Sequence, residues 1–340
     1  MIRRALRKIT FDHVAIAFIV VITAGIYYLA ADALLRIAAA PTPGGSHNPA
    51  RAHVAVPAPA TASGPHASAE PADGAAVTSD RIADAFARIG YRLDTVRADG
   101  EVPRVFLASL PSDLSDIAVP ERRKIMFIET ALPLILHVNE VIALDRERIV
   151  DLRDRMAAGR AISADDRTWL EREAAAYGLD RLDMDELVRR VDVIPPSLAL
   201  AQSAEESGWG TSRVAQEGNA LFGQFTWSDD SGLPPNQRGD GVRYRIAVFD
   251  QLMDCVKSYA LNLNSHPAYD KFRRARAAQR HDGNALDGFA LAGLLGPYSE
   301  RGLAYVRAVR TIIRRNALDV FDHARLGGQV VTDTIGSPDA

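Results

Sequence analysis

The sequence predicts a mostly α-helical α+β protein with one small β-lobe, set behind a membrane-spanning helix and a disordered tether. Three observations carry this. Apolar residues recur at helical spacing through most of the chain from Ser79 to Leu326. Val242, Tyr244, Ile246 and Val248 alternate with Arg243, Arg245 and Ala247, the period of a half-buried strand. Val14 to Ala31 is an uncharged apolar run, long enough at about 18 to 20 residues to cross a bilayer.

Taken in order, residues 1–40 pair a basic tip (Arg3, Arg4, Arg7, Lys8) with that run, which places the remainder on the far side of the membrane. Ala38 to Ala40 offer small residues for signal cleavage. A retained anchor is favoured, because the run is long and Asp32 and Arg36 separate it from those alanines. Residues 41–78 are rich in Pro, Ala, Gly and Ser and nearly free of large apolar side chains, so they cannot offset their ordering entropy and read as a linker.

Residues 79–194 read as a helical support region. Ile82, Phe86, Ile89 and Tyr91 mark a short first helix. Between Glu121 and Met156 two helices are expected to meet at Leu132-Pro133, because proline disfavours helix in its predecessor. Ser163 with Asp166 and Asp183 with Glu186 have the form of N-terminal caps, and Gly178 of a stop. His137, Asn139 and Glu140 interrupt an apolar face, where satisfied structural contacts are favoured over a second active-site acid.

Residues 195–326 read as the chemical domain. Prolines open an apolar helix that ends in Glu205, Glu206, Ser207 and Gly208, so two carboxylates stand at a helix end. Asn219, Leu221, Phe222 and Gly223 lead into the strand region, and 227–240 is a loop by composition. Helices are expected over 251–265, 269–278 and 301–315, the last burying Leu303, Val306, Val309, Ile312 and Ile313. Residues 327–340 read as a frayed tail.

Composition narrows the chemistry. A net charge of -3 gives no reason to expect nucleic acid, and the lone Cys255 excludes an internal disulfide and reads as a core residue. No HExxH or Cys/His cluster is present, so neither metal nor cofactor is expected. A glutamic acid in an apolar cleft suits proton donation to a leaving oxygen, since burial raises its pKa. Neighbouring helical residues point about 100° apart, so Glu205 and Glu206 cannot serve the same oxygen.

ESGWG at 206–210 followed by GNALFGQ at 218–224 resembles the active-site segment of glycoside hydrolase family 73 glucosaminidases, in particular the Bax-type branch of bacterial envelopes. VPRVFLASLPSDL, FIETALPLILHVNEVI and GPYSERGLAYVRAVRTIIRRN extend the resemblance from about Val102 to about Leu326. It implies a lysozyme-like catalytic domain that cleaves after N-acetylglucosamine in peptidoglycan glycan strands, with Glu206 as general acid and Glu205 at a position not usually acidic. Tyr305 then matches the family tyrosine, preceded by Tyr298, at a spacing one residue longer than the common form. Trp209, Asn219 and Phe222 are expected to line the sugar site, although packing under the helix end competes for Trp209.

The chain has no glutamate between Glu217 and Glu300, where many members carry a second acid. Asp229, Asp230 and Asp240 are candidates for it, and the substrate's own N-acetyl oxygen is the alternative. A lytic transglycosylase or a non-catalytic wall-binding scaffold compete with the hydrolase. NALFGQ in place of a GLMQ-like segment disfavours the first, and intact Glu206 and Tyr305 disfavour the second. The expected location is the bacterial inner membrane with the domain in the periplasm.

Overall fold

A computed structural model describes residues 77–226, 233 and 245–330. The expected anchor and most of the linker, residues 331–340, and Asp229, Asp230 and Asp240 lie outside them. The described residues belong to one compact unit. They are mostly helical: α1 Ser79–Arg88, α2 Leu93–Asp99, α3 Pro120–Ala157, α4 Ala164–Ala176, α5 Met184–Arg190, α6 Pro196–Ser207, α7 Arg213–Gly218, α8 Leu252–Ser265, α9 Asp270–His281, α10 Gly288–Ala292 and α11 Leu303–Arg315. Strand β1 (Glu101–Arg104) pairs in parallel with β4 (Arg325–Val330), and β2 (Phe225–Thr226) antiparallel with β3 (Arg245–Ile246).

The local signals for helix ends hold. Ser163 accepts from the Asp166 amide, Asp183 from the Glu186 amide, and Gly178 adopts φ 74°. Four expectations are corrected. Leu132-Pro133 does not divide two helices: α3 runs unbroken through Pro133 for 38 residues. An interior proline costs about 3 kcal/mol, but Met126, Phe127, Ile128, Leu132, Leu134, Ile135 and Leu136 are all buried, each worth about 1.5–3 kcal/mol. Packing therefore decides against the backbone preference.

Residues 327–330, expected to fray, are ordered. Arg325–Val330 is a strand, tied by the Arg325–Glu101 pair and by Arg104, whose Nε donates to Gly327 O at 2.9 Å. Leu303, expected inside, is 71% exposed, because it lies in the first turn of α11 while Val306, Val309 and Ile313 take the buried stripe. Val248, expected on the inner side of a longer strand, is 40% exposed and follows a strand that ends at Ile246.

Helix α3 is the candidate membrane span among the described residues, yet 72% of its apolar window is buried inside the chain, as in a core helix. Its polar groups are structural. Asn139 exchanges hydrogen bonds with the backbone of Ile194 at 2.7 and 3.0 Å, and Glu140 receives both terminal nitrogens of Arg104. The Phe106 ring stands 4.9 Å from that of His137.

Helix α6 sits at the centre, against α3, α10, α11 and the 3₁₀ turn Leu318–His323. Surrounded this way it needs no polar face, and Pro196 through Ala204 are buried. No side chain at its N-cap, Pro195, satisfies its first amides; instead the Asp322 carboxylate accepts from the Ser197 amide and hydroxyl, both at 2.8 Å.

Candidate active site

Helix α6 carries Gln202, Glu205 and Glu206 in its last two turns and is stopped abruptly. Gly208, Trp209 and Gly210 take φ 60°, 59° and 78°, reversing the chain at the blunt end. Gly210 admits no side chain, since a β-carbon would fall 2.8 Å from Leu114 and 2.9 Å from Phe127. The Ser207 hydroxyl donates to Ser203 O and accepts from the Gly210 amide, closing the turn. The Trp209 ring meets Phe127 edge-on at 5.8 Å and Lys124 Nζ at 5.6 Å, so it packs under the helix end.

The GNALFGQ segment crosses in front of this helix end. Asn219 adopts φ 50° as the stop of α7, and its amide donates to Phe249 O and Asp250 O at 3.1 and 3.2 Å. The Leu221 amide donates to Cys255 Sγ, a buried thiol. Phe222, expected on the sugar groove, is instead 1% exposed, its ring stacked on Tyr259 at 3.8 Å with planes 9° apart. Its carbonyl accepts from the Tyr298 hydroxyl at 2.8 Å, and Tyr298 in turn stacks on Tyr305. Gly223, at φ 61°, brings bare backbone against the Glu206 carboxyl.

Glu206 is half-buried and faces the Tyr305 hydroxyl, whose interaction with it favours the ionised carboxylate. The arginine whose charge acts on it, Arg301, is engaged by Glu205 at 2.5 Å and lies over the Tyr305 ring at 5.5 Å. Among the described residues no cation forms an ion pair with Glu206. Desolvation therefore dominates and pushes its pKa up to about 7; the Tyr305 hydroxyl lowers it, the Glu205 charge raises it and Arg301 lowers it. Burial, and then the Glu206 charge, push the Tyr305 hydroxyl far up, so it acts as a proton-bearing donor.

Two further residues reach this cluster. Gln202 Nε2 donates to Tyr305 Oη at 2.8 Å, and Tyr259 Oη donates to Gln202 Oε1 at 2.8 Å. The helical offset of Gln202 from Glu206 was a signal for the first. Nothing local marks Tyr259.

The family model described as mannosyl-glycoprotein endo-beta-N-acetylglucosaminidase matches residues 183–318, which hold Gln202, Glu205, Glu206, Tyr259, Arg301 and Tyr305. Protein bax of Escherichia coli (strain K12) is 32% identical over 204 residues, covering 58% of this chain and 71% of the relative. The chain belongs to the glucosaminidase family, in its Bax-type branch. The glucosaminidase segment thus begins in α5, with Asp183 capping its helix, and closes after α11. The catalytic domain of the autolysin Auto from Listeria monocytogenes aligns with 50% of this chain and 96% of its own at 19% identity and a TM-score of 0.27, too low to bear on the fold.

Proposed function

We propose that this glucosaminidase hydrolyses the glycosidic bond after N-acetylglucosamine in peptidoglycan strands, in the cell envelope, with Glu206 as the general acid. The observation that supports it most is the state of Glu206: a half-buried carboxyl poised at about 7, with the nearby guanidinium diverted to Glu205. Near neutral pH a large fraction of such a group holds a proton to give to the leaving oxygen. Once ionised, it is met by the Tyr305 hydroxyl, which donates to the new carboxylate. Tyr298 and Asn219 shape the site by holding the Phe222 carbonyl and the 249–250 backbone in place. The oxocarbenium-like centre is met either by one of Asp229, Asp230 and Asp240 or by the sugar's own N-acetyl oxygen.

The full chain incubated with purified peptidoglycan, with products read by mass spectrometry, tests this. New reducing-end N-acetylglucosamine, lost in Glu206→Gln, is the expected result. Anhydro-muramyl ends would make the protein a transglycosylase. No Glu206-dependent release would leave a wall-binding scaffold.

A further inference from the structure

A buried hydrogen-bonded line runs from Tyr259 on α8 through Gln202 on α6 to Tyr305 on α11, and ends facing Glu206. Tyr259, Gln202 and Tyr305 are 1%, 0% and 0% exposed, so bulk water does not reach their side chains to replace a missing partner. The line has a direction. Tyr259 gives its single proton to Gln202 Oε1, which turns Nε2, a group with donors only, toward Tyr305 Oη. Tyr305 therefore accepts from Gln202, and its own proton is left for the Glu206 carboxyl.

We infer that Tyr259 orients the Gln202 amide so that it gives a proton to Tyr305 and cannot take one, which leaves the Tyr305 proton for Glu206. This rests on the reading of Glu206 as the acid. An amide turned end for end would present Oε1 to Tyr305 and draw that proton away, leaving the ionised acid without its donor. Gln202 stands one helical turn before Glu206, so a single hydroxyl on α11 can touch both. Tyr259 is kept in place by its stack on Phe222, which couples the GNALFGQ segment to the acid through the line as well as through Gly223. The other groups facing Glu206 are Glu205 on its own helix, Arg301 and Tyr298 ahead of α11, and Tyr269 ahead of α9; none belongs to the line.

The test follows the Glu206 carboxyl by carbon-13 NMR in the full chain, its signal assigned by its loss in Glu206→Gln. Tyr259→Phe keeps the ring and removes only the proton that orients Gln202. The freed amide can then take the Tyr305 proton, and the Glu206 midpoint rises by about one pH unit, the scale of one hydrogen bond to a charged group. Gln202→Met removes the competing acceptor altogether, so Tyr305 still donates to Glu206 and the midpoint stays where it is. A purely structural role would move both variants alike or neither, and either result overturns the inference.

A measurement on the unaltered chain stands beside these in case a variant does not fold. The Gln202 side-chain amide protons should show nuclear Overhauser contacts to the Tyr305 ring; contacts to the Tyr259 ring instead overturn the inference. The two readings fail separately. A shifted midpoint without Glu206-dependent glycan release keeps the line and removes the hydrolase, whereas release with an unmoved midpoint does the reverse.

Discussion

The backbone of Gly223 crosses the Glu206 carboxyl so closely that a β-carbon on it would lie 2.8 Å from Oε2. This glycine also holds φ 61°, a conformation that costs a side-chain-bearing residue about 1–2 kcal/mol. Gly223→Ala is therefore expected to lower stability by that amount in urea denaturation. It should also cut glycan release at least about tenfold, because the acid must swing off its line.

Glu206→Gln should lower glycan release by roughly 10²–10⁴-fold, the ordinary worth of a general acid. Its folded pKa is raised, so activity is present at low pH and lost as pH rises through about 7. Glu205→Gln removes a charge that raises that pKa and frees Arg301, which lowers it; the alkaline limb should move to lower pH. Arg301→Gln should move it the other way. Limbs that do not move apart in these two variants would remove the charge pair from the account.

Stability should fall as pH rises from about 4.5 to 7, and Glu129 is the main cause outside the site. It is 8% exposed, and desolvation pushes its pKa up to about 7 against the pull of the Leu93 amide. A raised folded pKa gives stability that is full below the unfolded value and lost through the folded one. Glu129→Gln keeps an acceptor for Leu93, so it should flatten this slope and stabilise the chain at pH 8 by on the order of 2 kcal/mol. Chemical denaturation at pH 5 and pH 8 reads it directly.

Asp192 is 2% exposed and takes two nitrogens of Arg280, with Arg146 and Arg276 each at 3.7 Å. Burial alone would raise its pKa; the Arg280 bonds and the fields of Arg276 and Arg146 outweigh that and hold it low. Asp192→Ala strands buried guanidinium groups and should cost about 3–5 kcal/mol, seen as a loss of thermal stability. The same stabilisation should fade in acid, as pH falls through the lowered pKa.

Local signals in the residues hold in the fold. Ser163, Asp183 and Gly178 act within a few positions, so their caps and stop needed no knowledge of the fold. The same holds for Glu205 and Glu206 at a blunt helix end, where Gly208 permits the stop whatever surrounds it. Leu303 and Pro133 depart from what periodicity and backbone preference predict, because the position in the turn decides the first and burial on both sides the second. An aromatic beside an acid is compatible with groove or core, and for Phe222 only the stack on Tyr259 separates the two.

By itself the sequence determined which carboxylates end a helix, which glycines must follow them and to which family the ESGWG and NALFG pair points. Only the tertiary structure decided that Arg301 pairs with Glu205 rather than Glu206, that Asp322 caps α6 from 125 residues away, and that Tyr305 reaches Gln202 across 103. Caps and stops are satisfied within one turn of their own chain. The acidity of a half-buried group depends on which distant side chains arrive to solvate it, and the packing of α6 against α3, α10 and α11 sets that.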